Sequence, residues 1–282
     1  MRRAIIFACL FATVSSAQSQ RPAFEVATIK PSAIIGPIDS SPGRFIAAGQ
    51  PLKGLLTYAY RMKDYQVFGG PNWMSTDRWE IQATVPAGVI VPRPKNMEEL
   101  EKALRSPDPV ALMLQSLLEE RFQLKMHLDT RELPIYELTV AKGGPKLTLA
   151  DDQSPIVFGT APVPPQRLPN GLPALTRGGY SVRGGGGGNR LFQGRAIALW
   201  QLVNILVGDL GRPVIDKTNL KGLYDVKLEW APQNLQAGPE AAPAGASLLT
   251  TAIQEQLGLK LESTKGPIEV IVVDNAQKPS EN

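Results

Sequence analysis

"GLYDVKLEWAP", residues 222–232, alternates apolar and polar side chains and then meets a proline. Tyr224, Val226, Leu228 and Trp230 fall on one side of an extended chain, with Asp225, Lys227 and Glu229 on the other. A period of two marks a strand with one buried and one wet face, as antiparallel sheets require. "DRWEIQATVPA", residues 77–87, has the same form 145 positions earlier, with Trp79, Ile81, Ala83 and Val85 on the apolar side. The recurrence raises the question of whether a strand or a whole unit is written twice.

The flanking elements answer that it is the unit. Leu52, Leu55, Leu56 and Ala59 lie at i, i+3, i+4 and i+7, one face of a helix. Leu199, Leu202, Val203 and Leu206 repeat that spacing at an offset of 147. A second helix begins with Asp108 as N-cap and Pro109 at its first position. Its apolar set, Leu114, Leu117, Leu118 and Phe122, is matched by Leu249, Ala252, Ile253 and Leu257, with Ser247 expected to cap the later copy. Both helices run into strands, "FQLKMHL" and "LGLKLES", and a further strand closes each unit, "LPIYELTVA" and "GPIEVIVVD". Ordered self-similarity of this kind predicts an α+β fold of two tandem pseudo-repeats, each with two helices packed on a mainly antiparallel sheet. The units are expected over 22–150 and 190–282. Residues 151–189, rich in Gly and Pro, read as a linker without packed elements.

Residues 1–17 read as a cleaved signal peptide. Arg2 and Arg3 precede an apolar run from Ala4 to Val14, and Ser15 and Ala17 supply the small residues a signal peptidase accepts. The run is too short for a membrane span, so a periplasmic or secreted protein without a span in its mature chain is expected. Cleavage would remove the only cysteine, Cys9, and with it any disulfide. The formal charge of +4, lowered further by loss of the two arginines, is too small to argue for a nucleic-acid partner.

The sequence contains no set of residues that dictates a reaction. The glycines of 184–188 lack the Gly-Lys-Ser/Thr ending of a phosphate loop and the spacing of a dinucleotide fingerprint. His127 is the only histidine and falls on the outward side of "LKMHL", so it reads as surface. With one histidine and one cysteine, no metal or cofactor site is expected. Asp77, Glu80, Asp209, Asp216, Asp225 and Glu229 remain as acids. Two of them converging on a cleft would be needed for a hydrolase acting on a cell-wall or plant-derived polymer, the alternative reading. The stretch "YAYRMKDYQVFGGPNWMSTDRW" gathers aromatic and basic residues of the kind that interfaces favour. Tyr60, Tyr65, Trp73 and Arg78 are therefore the candidate ligand- or partner-binding residues.

The segments "YQVFGGPNWMSTDRWEIQA", "LLEERFQLKMHLDTRELPIYELTVAKGGPKL" and "GRPVIDKTNLKGLYDVKLEW" resemble those of a soil-bacterial family of exported proteins with a shared domain of unknown function. The likeness implies an extracytoplasmic protein, with related domains joined to membrane metallopeptidases similar to penicillin-sensing receptors. This chain lacks the His-Glu-x-x-His zinc motif, so the resemblance transfers no peptidase activity. A weaker likeness links each helix–strand–strand unit to short N-terminal domains of secretins and TonB-dependent receptors, at the level of fold alone. The expected function is a non-catalytic binding, interaction or sensing module for an unidentified protein or glycan partner outside the cytoplasm.

Overall fold

A computed structural model describes residues 21–158, 174–184, 189–231 and 248–280. The expected signal peptide, much of the expected linker and the loop that carries Ser247 lie outside these residues. The chain opens with β1 (Val26–Pro31), β2 (Ile38–Ser41), β3 (Arg44–Pro51) and α1 (Leu52–Tyr60). A 3-10 turn at Asp64–Gln66 leads to β4 (Val67–Gly69), α2 (Trp73–Thr76) and β5 (Arg78–Thr84). Then come α3 (Met97–Arg105), α4 (Pro109–Arg121), β6 (Lys125–Val140) and β7 (Thr148–Leu149). The later part holds β8 (Tyr180–Gly184), β9 (Arg190–Ala198), α5 (Leu199–Leu210) and β10 (Val214–Asp216). It ends with β11 (Leu223–Trp230), α6 (Leu249–Leu257) and β12 (Leu259–Asn275).

These elements form an α+β fold with three four-stranded sheets, ordered β1-β5-β3-β2, β7-β11-β9-β8 and β10-β6-β12-β4. The first two are antiparallel throughout. In each of them, the strand that precedes a helix lies beside the alternating strand that follows that helix. The periodicities determine what is inside. Leu52, Leu55, Leu56 and Ala59 are fully buried on α1, and Tyr224, Val226, Leu228 and Trp230 are buried on β11. Asp108 caps α4 as its composition predicts, accepting from the Ala111 N–H at 2.8 Å. At α6 the N-cap position is Leu248 and carries no side-chain cap bond; the expected cap residue, Ser247, lies outside the described residues.

Two expectations are revised. "FQLKMHL" and "LPIYELTVA" are parts of a single strand, the 16-residue β6, and the matching later segments merge into the 17-residue β12. Pro134 and Pro267 do not break these strands. Each lies outside the short stretch where β10 or β4 adds a third neighbour, so the missing N–H leaves no outer ladder incomplete. Residues 180–184, expected to hold no packed element, form edge strand β8 against β9. Its five residues are masked in the sequence by flanking glycines.

β6 and β12 pair antiparallel along nearly their whole length and run between two hydrophobic cores. The first core contains α1, α4, β3 and β5 residues together with Ile271 and Val273 from β12. The second contains α5, α6, β9 and β11 residues together with Leu138 from β6. Neither core is made from one continuous stretch of chain. Leu128, expected on the apolar side of its strand, is 53% exposed where β6 is the outer strand, whereas its cross-strand partner Ile271, flanked by β4 on its other side, is fully buried in the first core.

Candidate functional site

The aromatic stretch is used mainly for packing. Trp73, on the short helix α2, packs on the first core; its ring stacks on Phe122 at 6.4 Å and meets Trp79 edge-on at the same distance. Tyr60 closes α1, half-buried against the same core, and its hydroxyl is pushed up to about 12 by burial first and by the Glu119 carboxylate second. Tyr65 sits half-buried in the 3-10 turn, its hydroxyl also raised by burial. Arg78 begins β5 and donates to the Gly49 carbonyl at 3.1 Å. The four predicted residues are thus dispersed over α1, a turn, α2 and β5.

Arg78 alone of the four lines a described groove, one of about 680 Å³ between the end of β1 and the C-terminal tail. Lys278 closes it, paired with Asp77 at 2.6 Å and lying 5.9 Å from the Trp73 ring centre. That pair holds the Asp77 carboxyl below its usual value, chiefly through the Lys278 hydrogen bond and further through Thr76. The tail is anchored again where the Gln277 N–H donates to the Phe122 carbonyl at 2.7 Å.

A larger groove, about 810 Å³, lies over the outer face of the β7-β11-β9-β8 sheet. Alternation on β11 sends Tyr224, Val226 and Leu228 inward and leaves Asp225 and Lys227 outward. Register places Ser181, Gln193 and Lys227 side by side across β8, β9 and β11. Arg183, two residues beyond Ser181, shares that face, and Lys146 and Arg195 complete a basic rim. Arg183 donates to the Gln193 amide oxygen at 2.8 Å, Arg195 to the Leu175 carbonyl at 3.3 Å and Lys146 to the Glu255 carbonyl at 2.8 Å. Each of these three cations is held by a neutral oxygen, leaving its charge directed at the groove. The one acid in the lining, Asp225, accepts from the Ala196 N–H at 2.7 Å and so supports a β-bulge in β9.

The family model of the protein of unknown function DUF3738 matches residues 53–276, most of the chain and all of the elements from α1 to β12. The chain belongs to the DUF3738 family. No curated protein and no solved structure was found to match it.

In this DUF3738 protein the remaining acids serve local structure. Asp209 on α5 pairs with Arg190, and burial pushes its carboxyl up against the opposing pull of that guanidinium. Asp216 accepts from the Thr218 N–H and hydroxyl at 2.8 and 2.7 Å, a side-chain turn. Asp225 alone of these three lines a described groove, so Asp209, Asp216 and Asp225 do not face one another across a cleft. His127 is exposed and bonded to Asp274 at 3.0 Å. Among the described residues, no cluster of three His, Cys, Asp or Glu is arranged to hold a metal ion. No described helix is long and apolar enough to cross a membrane. The groove residues Arg183, Gln193 and Lys227 escape a reading of the sequence, since three separate strands supply them. Their only local sign is the outward position of Lys227 in "DVKLEW" and of Arg183 in "YSVRG".

Proposed function

We propose that the chain is an exported, non-catalytic binding module built from two copies of one α+β unit, with its ligand groove on the outer face of the second sheet. The observation that carries this reading is the groove itself. It is the larger of the two, with amide, hydroxyl and cationic groups converging beside the apolar side chains of Leu147 and Leu175, the composition of a recognition site. The acids needed for hydrolysis are each occupied by a local partner, which favours binding over bond cleavage. The matching sheet orders and the offsets along the chain favour duplication of the unit. Exchange of β6 and β12 between the cores then clasps the copies together. Export rests on the composition of residues 1–17, and the soil-bacterial and metallopeptidase-linked associations rest on the sequence resemblance. Of the aromatic stretch, no residue lines this groove: Arg78 borders the separate groove beside the C-terminal tail, and Tyr60, Tyr65 and Trp73 are assigned to packing.

Two measurements test the reading. Full-length protein expressed in a Gram-negative host is expected in the periplasmic fraction with an N-terminus at Gln18; retention in the cytoplasm at full length would remove the export reading. Immobilised protein is expected to retain a partner from extracytoplasmic material, and Lys227→Glu is expected to abolish retention. Equal retention by the variant would place the site elsewhere.

A further inference from the structure

The basic groove has no counterpart on the first sheet. The row there that corresponds to Ser181, Gln193 and Lys227 runs through Asp39, Ile46 and Gln82 and holds no cation. Elsewhere on that face Lys30 lies opposite Glu80 and Arg44 pairs with Asp39, so the unbalanced positive charge belongs to the second sheet alone. Four cations, Lys146, Arg183, Arg195 and Lys227, stand against the single carboxylate of Asp225, which already accepts a backbone hydrogen bond. Like charges gathered this way repel one another and are relieved by an anionic occupant.

The rest of the lining narrows the ligand class. Among the described residues, none of the groove's walls is aromatic, so a sugar ring finds no flat face to stack on. Leu147 and Leu175, both half-buried, instead provide apolar contact beside the cations. An extended peptide presents every second side chain on one face, at a spacing of roughly 7 Å. Arg183 and Lys227 lie two strand widths apart and two residues out of register, a diagonal of roughly 12 Å that their flexible stems can shorten to meet successive carboxylates. We propose that this groove binds an acidic, extended segment of a partner protein, with carboxylates on Arg183 and Lys227 and apolar side chains against Leu147 and Leu175. The proposal rests on the binding reading above and names its ligand class.

Fluorescence anisotropy of the full chain with a labelled peptide of alternating Glu and Leu tests it, beside the matching Gln–Leu peptide and labelled polygalacturonate. Binding of the Glu–Leu peptide is expected, with the Gln–Leu peptide and the polymer at least about tenfold weaker. Lys227→Gln and Arg183→Gln, each checked for an unchanged circular dichroism spectrum, are expected to weaken the acidic peptide several-fold. Raising salt until the Debye length falls to about 3 Å is expected to do the same. Tighter binding of polygalacturonate with the same dependence on Lys227 and Arg183 would overturn the peptide class and leave the groove as a binding site. Binding of the acidic peptide at full strength to both variants would overturn the groove assignment. Failure of all three probes would overturn the proposal and count against the binding reading beneath it.

Discussion

Gly49 and Ala196 occupy equivalent bulges, in β3 and β9, and both adopt a left-handed backbone, at φ 59° and 48°. Their tolerance to change is opposite. A Cβ added at Gly49 would lie 1.4 Å from the Ile34 carbonyl oxygen, a backbone atom that cannot move aside cheaply. Gly49→Ala is expected to cost about 3 kcal/mol in urea unfolding, from that clash and from the strained φ. Ala196 already bears the left-handed strain, worth about 1–2 kcal/mol for an L-residue. Ala196→Gly relieves it at an entropic cost of about 0.5–1 kcal/mol, so the same measurement should move by under about 1 kcal/mol. Asp77 gives a pH-dependent signal at the same scale. Its carboxyl sits below the ordinary value of 3.8, so the Lys278 contact favours the fold above that value and is lost as pH falls through the depressed one. Acid titration of indole fluorescence is expected to report release of Lys278 from Trp73 in that window. Asp77→Asn should abolish the step, and persistence of the step in the variant would assign it elsewhere.

At the scale of elements, one carboxylate joins two helices. Asp108 caps α4 and also accepts from Arg61 at 2.6 Å, and Arg61 in left-handed conformation terminates α1. Both side chains are about four-fifths buried, which strengthens the pair relative to a surface contact. Asp108→Ala is expected to lower stability by about 2 kcal/mol, with Asp108→Asn less costly because its amide oxygen keeps the cap. Equal losses in the two variants would show that the Arg61 pairing, and not the cap, dominates. The cap, Pro109 and the apolar spacing of α4 are legible in the sequence because each is a local requirement of helix geometry. The alternation of β5 and β11 is legible for the same reason, since one buried face imposes a period of two. The continuity of β6 and β12 is not. Pro134 and Pro267 look like breaks, and only the absence of a third strand beside them makes them harmless.

For the whole molecule, the crossing of β6 and β12 means that stability in one core depends on residues distant along the chain. Ile271→Ala is expected to cost about 3 kcal/mol and to raise hydrogen exchange in α1 and α4 before α5 and α6. Leu138→Ala, a residue of the second core on the earlier strand, is expected to act in the opposite sense. Exchange confined to α5 and α6 after Ile271→Ala would contradict the crossing. The same long-range logic explains the candidate sites. The aromatic stretch drew attention because interfaces favour Tyr, Trp and Arg, but cores use the same rings, and Trp73 with Trp79 and Phe122 forms an aromatic cluster on the first core. Arg183, Gln193 and Lys227 stayed unremarked because strand order brings them together, not spacing along the chain.

The amino-acid sequence by itself determined α1, α4, α5 and α6, the Asp108 cap and the buried faces of β5 and β11, because those depend on geometry within a few residues. Only the tertiary structure decided that β6 and β12 leave the cores they follow and that the outer faces of β8, β9 and β11 make one basic groove. Pairing between distant strands is chosen by burial and backbone hydrogen bonding over the whole chain, and no local pattern of residues records that choice.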